Sequence, residues 1–242
     1  MTDFFFDAAL RAALANNLRN HGRAALSLDG RRHAAVAVVV VDSDAVLHGG
    51  DDAPAGLDRL LGIPGAQDYP LTGSVAGTAG GPAVLLTRRA AKLRDHGGQW
   101  ALPGGRVDVG EEPQAAALRE LHEELGLPLS AADCLGALDD YPTRSGFVIT
   151  PFVFWGGPDP AMTPDPAEVM SVHRVAFREL CRADSPRFVT IAESDRPVVQ
   201  IPVGGDLIHA PTGAVLYQFR RVAIEGTAER VAHLEQPVFA WR

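Results

Sequence analysis

The chain has 242 residues, of which 46% are hydrophobic, and this composition is typical of a soluble globular protein with one large domain or a domain with appendages. The formal net charge of −8 argues against a nucleic-acid-binding surface, because such surfaces usually carry a basic patch. The charge does not argue against a small phosphorylated substrate, since a bound divalent cation supplies local positive charge.

The N-terminal third predicts one helix and one buried strand. An apolar stripe indicates a helix over Asp3–Asn20, which we interpret as an appendage that packs on the main domain. The run His33–Val41 is too uniformly apolar for a half-exposed strand and predicts a buried strand of a mixed sheet. Residues 42–81 are rich in Gly, Pro, Ala and Asp and allow only a short helix at Gly56–Leu61, so they form either a lid or a disordered stretch.

A second strand, Ala83–Thr87, leads into a basic loop. The basic residues of this loop are Arg88, Arg89, Lys92 and Arg94. They are either solvated or in contact with substrate phosphates, for which arginine is well shaped. His96 is a candidate ligand, acid or hydrogen-bond donor that fixes the loop, and the last of these roles is the commonest for a lone histidine.

The segment from Pro113 to Leu125 predicts a helix. Pro113 suits a first helical position, the run that follows contains good helix formers, and Gly126 stands where a helix ends in a left-handed residue. Before it, the loop LPGGRVDVGEE contains Gly104 and Gly105, which permit close backbone approach. An apolar stripe faces the core at Leu118, Leu121 and Leu125.

Three carboxylates of this helix, those of Glu120, Glu123 and Glu124, crowd one face. Like charges on adjacent turns destabilise a helix, and Arg119 can pair with Glu123 but cannot balance all three. Mg²⁺ binds carboxylate oxygens and keeps positions for water and phosphates, so two such ions would clamp a phosphoanhydride and activate the attacking water. The alternative is an ordinary surface helix with a solvated acidic face. The fixed spacing G-x5-E-x7-R-E-L-x-E-E-x-G-L, from Gly105 to Leu127, argues against it.

The rest of the chain predicts strands with two further helices. The expected strands are Cys134–Tyr141, Gly146–Trp155, Glu168–Val175, Arg187–Val203 and Asp206–Phe219, the last two with hairpin turns at GGD and PTG; the expected helices are Phe177–Arg182 and Arg221–Leu234. The loop between residues 156 and 166 holds too many prolines for regular structure. Asp165, within this loop, and Glu168, just after it, are candidates for a general base, although ordinary surface charge is an equally good interpretation.

The spacing from Gly105 to Leu127 resembles the Nudix box at every fixed position. The resemblance implies a Nudix-type α/β/α sandwich with a mixed central β-sheet, and hydrolysis of a nucleoside diphosphate linked to another group. By its place in the motif, Gly104 would lend a backbone carbonyl to a metal held by Glu120, Glu123 and Glu124, while Arg119 and Glu111 would brace the box. The expected cofactor is Mg²⁺ or Mn²⁺, and the expected division is an N-terminal helical appendage, 1–32, and a Nudix hydrolase domain, 33–242, with a long insertion at 42–81.

The segment from Leu85 to Gly105 resembles a motif of the coenzyme A pyrophosphatase subgroup, L-L-T-x-R-S-x-x-L-x-x-H-x-G-Q-V-x-F-P-G-G. The matches are Leu85, Leu86, Thr87, Arg89, Leu93, His96, Gly98, Gln99, Pro103, Gly104 and Gly105. Ala90, Trp100 and Leu102 replace Ser, Val and Phe. The resemblance implies that CoA or acyl-CoA is cleaved to 3′,5′-ADP and 4′-phosphopantetheine or its acyl form, with Arg89, His96 and Gln99 in substrate contact.

Two other functions remain open at this point. The first is the same chemistry on ADP-ribose, NADH, a dinucleoside polyphosphate or a nucleoside triphosphate, for which the three departures and the insertion leave room. The second is a non-catalytic nucleotide-sensing domain, against which the intact box argues. We expect a cytoplasmic protein, because the N-terminus is acidic, no apolar run reaches ~18 residues and the two cysteines form no disulfide framework. We expect no nucleic-acid or membrane partner. A homodimer is possible, since members of the family that the chain resembles are often dimers.

Overall fold

The computed structural model describes residues 4–43, 80–90, 98–203 and 206–238. Their central element is β1 (Arg32–Ser43), whose side chains are buried over most of its length. The strand pairs in parallel with β7 (Phe147–Gly157) and antiparallel with β2 (Gly81–Arg89) and β4 (Gly104–Arg106). The prediction of a buried strand in a mixed sheet is therefore confirmed.

Eight strands of the described residues form this main sheet. Beyond β2 lie β3 (Trp100–Ala101) and β8 (Val169–Ala176), and beyond β7 lie β5 (Cys134–Ala137) and β6 (Tyr141–Pro142). The single strand expected at Cys134–Tyr141 is thus two short strands, and the strand expected from Glu168 begins one residue later.

The sheet lies between two layers. Helix α2 (Pro113–Leu125) covers one face, where Leu121 and Leu125 pack against the odd-numbered valines of β1. The opposite face packs against α1 (Ala8–His21), α3 (Phe177–Leu180), α4 (Thr212–Gln218) and a smaller antiparallel sheet of β9 (Arg187–Ile191), β10 (Ser194–Val203) and β11 (Asp206–His209). The α/β fold class with a mixed central sheet is confirmed.

Helix α1 begins five residues later than predicted. The Asp7 carboxylate accepts a hydrogen bond from the Leu10 N–H at 2.8 Å and caps the helix, so the chain before it stays extended. Leu14 and Leu18 of α1 are buried, and Phe6 stacks on Trp155 at 4.2 Å between ring centroids. The N-terminal segment therefore packs on the core, and its division from the domain at residue 32 stays a prediction.

The C-terminal part corrects two predictions. The strand expected over Asp206–Phe219 ends at His209, and α4 and a π-helical segment, Phe219–Ile224, take its place. Nearly every residue of α4 is buried, and a fully buried helix lacks the periodicity that separates it from a buried strand. The helix expected over Arg221–Leu234 is also wrong, because Gly226 adopts a left-handed φ of 66° directly after the π-helical segment.

The predicted insertion enters and leaves the sheet at neighbouring positions, since Ser43 pairs with Gly81. The expected helix at Gly56–Leu61 lies outside the described residues, as do Lys92, Arg94 and His96. Within the described part of the chain, no helix has the length and apolar character needed to cross a membrane.

Candidate functional site

Helix α2 has the boundaries that its sequence predicts. It begins at Pro113 and ends at Gly126, whose φ is 64° and whose N–H donates to the His122 carbonyl at 2.8 Å. The carbonyls of Leu125 and Glu124, which have no partner within the helix, accept hydrogen bonds from the N–H groups of Thr163 at 2.7 Å and Asp165 at 2.9 Å. The proline-rich loop after β7 is thus bound to the end of α2.

Arg119 connects the helix to the loop that precedes it. Its Nε and Nη2 donate to the two carboxylate oxygens of Glu111 at 2.9 and 3.1 Å, and Nη2 also donates to the Arg106 carbonyl at 3.0 Å. Its Nη1 reaches Glu120 at 3.0 Å and Glu123 at 3.2 Å. The hydrogen bonds from Arg119 and from the Asp108 N–H hold the pKa of Glu111 below its usual value. The pair of Arg119 and Glu111 therefore has the geometry expected of a brace.

Glu124 is the buried carboxylate of the site, with 5% of its surface exposed. Its pKa is raised to about 8, chiefly by burial and also by the negative charges of Glu168 and Glu120, while the charge of Arg89 and the Gly104 backbone act in the opposite direction. Burial also raises the pKa of Glu120, partly offset by Arg119. The side chain of Glu123 is 57% exposed and lies toward solvent. The buried Glu124 and the half-buried Glu120 thus form a negative cluster whose pKa values are raised.

The two glycines before the helix lie too close to their neighbours to leave room for a side chain. A Cβ at Gly105 would overlap the carboxylate of Glu120, and a Cβ at Gly104, where φ is 151°, would overlap the backbone of Ala35 and Val36 in β1. The backbone of Gly104 also lowers the pKa of Glu124. The role of the Gly104 carbonyl as a metal ligand stays a prediction.

Arg89 and Gln99 meet at the open end of β2. The Arg89 N–H donates to the Gln99 carbonyl at 3.0 Å, and the Gly98 N–H donates to the Arg89 carbonyl at 2.7 Å, so two backbone bonds close the basic loop. The Nε of Arg89 is buried and has no hydrogen-bond partner among the described residues. Its positive charge lowers the pKa of Glu124, which places the guanidinium near the carboxylate cluster. His96, the third predicted substrate contact, lies outside the described residues.

The two candidate bases differ in their surroundings. The negative charge of Glu168 contributes to the raised pKa of both Glu120 and Glu124, and the Glu168 backbone carbonyl is hydrogen-bonded to the residue that follows β2. The Oδ1 of Asp165 instead accepts the Ala167 N–H at 2.9 Å. The geometry favours Glu168 over Asp165 as the group that faces a substrate.

A second charged cluster, which the sequence reasoning missed, lies on the other face of β2. The Oδ2 of Asp206 accepts hydrogen bonds from Arg88 Nη2 at 2.8 Å and from Trp100 Nε1 at 2.9 Å, and the Arg88 guanidinium lies 4.2 Å from the Trp100 ring centroid. All three residues are buried. Strand alternation, which sends Arg88 and Arg89 to opposite faces, was the only sequence signal for it.

The donor chemistry of the site fits a hard divalent cation. Carboxylate oxygens are the ligands that Mg²⁺ prefers, and the raised pKa values of Glu120 and Glu124 show that their charge lacks full compensation within the protein. Across the described ranges, no group of three or more His, Cys, Asp or Glu side chains already has an arrangement that would hold a metal ion.

The comparison with family models supplies the class of protein. The NUDIX domain model matches residues 73–198, just over half of the chain, and covers α2, its glycine loop and the loop that carries Glu168. The protein therefore belongs to the NUDIX domain family, and this part of the sequence prediction is confirmed.

Individual proteins are similar to this chain over shorter stretches. An uncharacterized Nudix hydrolase NudL from Cronobacter sakazakii is 42% identical over 102 residues, which is 42% of this chain and 53% of that protein. A second, from Photorhabdus laumondii subsp. laumondii, is 36% identical over 112 residues, which is 46% of this chain and 60% of that protein. The chain thus spans little more than half the length of these relatives. Among solved structures, the crystal structure of a MutT/nudix family protein from Enterococcus faecalis is similar to this chain, with a TM-score of 0.47 and 16% sequence identity. The match covers 89% of this chain and 73% of that protein.

Proposed function

We propose that the protein is a divalent-metal-dependent Nudix pyrophosphohydrolase that cleaves the diphosphate of CoA or acyl-CoA to 3′,5′-ADP and 4′-phosphopantetheine or its acyl form. The observation that carries the proposal is the buried carboxylate of Glu124, whose pKa stays raised to about 8 even though the positive charge of Arg89 acts on it, together with the Arg89 Nε, which is buried without a hydrogen-bond partner among the described residues. Strongly perturbed carboxylates are typical of functional sites.

Glu120, Glu123, Glu124 and the Gly104 carbonyl would hold Mg²⁺ or Mn²⁺, in keeping with the general use of divalent ions by Nudix hydrolases. When bound, such ions polarise the anhydride and lower the pKa of an attacking water. Arg119 keeps Glu120 and Glu123 on one side of the helix through its hydrogen bonds to both. In the proposed reaction Glu168 accepts a proton from the attacking water, while Arg89, His96 and Gln99 bind the phosphates.

The placement of the three departures from the CoA motif supports CoA as the substrate. Ala90, Trp100 and Leu102 are all buried. Trp100 and Leu102 belong to the core cluster on the face of the sheet opposite α2, and the Trp100 indole donates to Asp206. A residue packed in this way changes the core rather than the surface that a substrate contacts, so the replacements at Trp100 and Leu102 are compatible with the motif's substrate contacts. Ala90 lies beside the site, because its N–H donates to the Glu168 carbonyl.

A substrate panel tests the proposal. CoA, acetyl-CoA, NADH, ADP-ribose and diadenosine polyphosphates are incubated with the protein and either Mg²⁺ or Mn²⁺, and products are identified by mass spectrometry. We expect CoA compounds to have the highest kcat/KM, Glu124→Gln to be inactive and Glu112→Gln, an exposed change at the start of the same helix, to match the wild type. Faster cleavage of another nucleotide would reject CoA, and binding without any cleavage would indicate a nucleotide sensor.

Three further properties of the whole protein belong to this proposal. They are a cytoplasmic location, a homodimeric state without a nucleic-acid or membrane partner, and the division into an appendage, 1–32, and a Nudix hydrolase domain, 33–242. Light scattering on the purified protein measures the mass, and a monomeric mass would reject the dimer.

A further inference from the structure

A single turn connects the candidate base to the metal-binding helix. The turn consists of Asp165, Pro166, Ala167 and Glu168, and we call it the Asp165 turn. Its sequence predicts this conformation, because Asp is favoured at the first position of a β-turn and Pro at the second. The Glu168 N–H donates to the Asp165 carbonyl at 3.1 Å, and the Ala167 N–H donates to Asp165 Oδ1 at 2.9 Å.

Both ends of the Asp165 turn are bound to elements of the site. The Asp165 N–H donates to the carbonyl of Glu124 at 2.9 Å, and the carbonyl of Glu168 accepts the Ala90 N–H at 2.8 Å. The Asp165 carbonyl also accepts the Val169 N–H at 2.8 Å, where β8 begins beside Arg89. One residue thus joins the backbone of Glu124 to the backbone of Glu168.

The carboxylates themselves oppose this arrangement. Glu168 is exposed at the surface, yet its charge acts on Glu120 and Glu124, and like charges repel. An exposed side chain on a free loop would turn away into solvent. Hydrogen bonds within the Asp165 turn and at its two ends keep the Glu168 backbone in place against this repulsion.

We propose that Asp165 is a positioning residue, whose carboxylate holds the turn that presents Glu168 to the carboxylate cluster and does not itself react. The inference rests on the proposed hydrolase function for its kinetic consequence, but its structural consequence can be measured without activity. A hydrogen-bond acceptor at this position is sufficient, so asparagine will replace aspartate whereas alanine will not.

The kinetic test compares Asp165→Ala and Asp165→Asn with the wild type in CoA hydrolysis. We expect Asp165→Ala to lower kcat about three- to tenfold, the range for loss of one hydrogen bond, with KM unchanged within about twofold. Asp165→Asn is expected to keep the wild-type kcat. Asp133→Ala is the matched control, because it removes a side-chain acceptor that serves the Ser130 N–H at 2.9 Å in a turn outside the site.

Hydrogen–deuterium exchange of the metal-free protein provides the second readout. In Asp165→Ala the amides of Ala167, Glu168 and Val169 should exchange faster than in the wild type, whereas in Asp165→Asn they should not. An Asp165→Asn variant as slow in catalysis as Asp165→Ala would overturn the proposal, because it would assign chemistry to the carboxylate. Unchanged exchange in Asp165→Ala would overturn it even if the protein cleaved none of the nucleotides tested.

Discussion

Two buried glutamates show how differently this protein treats a negative charge. Glu235, 1% exposed, receives hydrogen bonds from Arg144 Nε at 3.1 Å, from the Ser194 hydroxyl at 2.9 Å and from the Gln236 N–H at 3.0 Å. Burial alone would raise its pKa, but these partners outweigh burial and lower it to about 2. Glu124, 5% exposed, has a pKa raised to about 8.

Burial is common to the two residues, so the difference lies in their partners. Arg144 forms a direct ion pair with Glu235, whereas Arg119 bonds Glu111, Glu120 and Glu123. The charge of Arg89 acts on Glu124 but does not offset the effect of burial. A carboxylate that stabilises a fold is matched by donors, and one that is left unmatched at the same depth is available to a cation. This contrast separates the candidate site from structural charge better than burial does.

The largest expected effect is on activity. Glu124→Gln should reduce kcat/KM for CoA at least about 100-fold, because it removes a ligand from the metal that supplies most of the rate enhancement. The melting temperature of the metal-free protein should not fall at neutral pH, since the pKa of Glu124 is raised to about 8 and the amide replaces a carboxyl group that is already largely protonated. Steady-state kinetics measure the fall in kcat/KM, and thermal unfolding measures the melting temperature. A Glu124→Gln variant with wild-type activity would contradict the functional difference between Glu124 and Glu235.

Glu235→Gln should have the opposite signature. Losing hydrogen bonds to a charged acceptor typically costs about 1.5 to 2 kcal/mol of unfolding free energy, and the Arg144 side chain that remains is 46% exposed and stays solvated. The kcat of the folded protein should stay unchanged, because the partners of Glu235, which are Arg144, Ser194 and Gln236, do not belong to the candidate site. Urea denaturation measures the loss, and an equally stable variant would show that Arg144 contributes nothing here.

The same residue predicts a dependence of stability on pH. The pKa of Glu235 falls from 4.5 to about 2 on folding, so its contribution is present above pH 4.5 and is lost as the pH falls toward 2. Between those values the wild type should lose unfolding free energy more steeply than Glu235→Gln. Parallel slopes in urea titrations over this range would contradict the assignment.

The smallest expected effect concerns the other face of β2. Trp100→Phe keeps an aromatic ring but removes the pyrrole half of the indole and with it the N–H that donates to Asp206, and loss of this hydrogen bond should lower the unfolding free energy by about 1 kcal/mol. The KM for CoA should remain within about twofold, because Trp100 packs in the core and not in the site. A large rise in KM with unchanged stability would return Trp100 to the substrate pocket.

The sequence predicts those parts of the site that depend on local spacing. Pro113, Gly126 and the i,i+4 relation of Arg119 to Glu123 are short-range features, so the helix, its ends and this ion pair could be read directly. The aspartate–proline turn before Glu168 is also local, but its attachment to Glu124 joins segments about 40 residues apart and has no local signal.

Long-range packing explains which features of the structure the sequence does not predict. The hydrogen bond between Trp100 and Asp206 connects residues 106 positions apart, and the sequence around neither residue predicts it. The sequence predicts a strand where α4 lies because five of the seven residues of α4 are buried, and the predicted closing helix runs past Gly226, where the helical segment stops. Tertiary burial overrides local periodicity in such segments.

The most direct test is a Mn²⁺ titration of the metal-free protein without nucleotide, followed by the electron paramagnetic resonance signal of free Mn²⁺. The wild type, Glu124→Gln and Glu235→Gln are compared. We predict at least about tenfold weaker binding for Glu124→Gln and wild-type affinity for Glu235→Gln. Equal affinities for the wild type and Glu124→Gln would contradict the assignment of the buried, unmatched carboxylate to a cation.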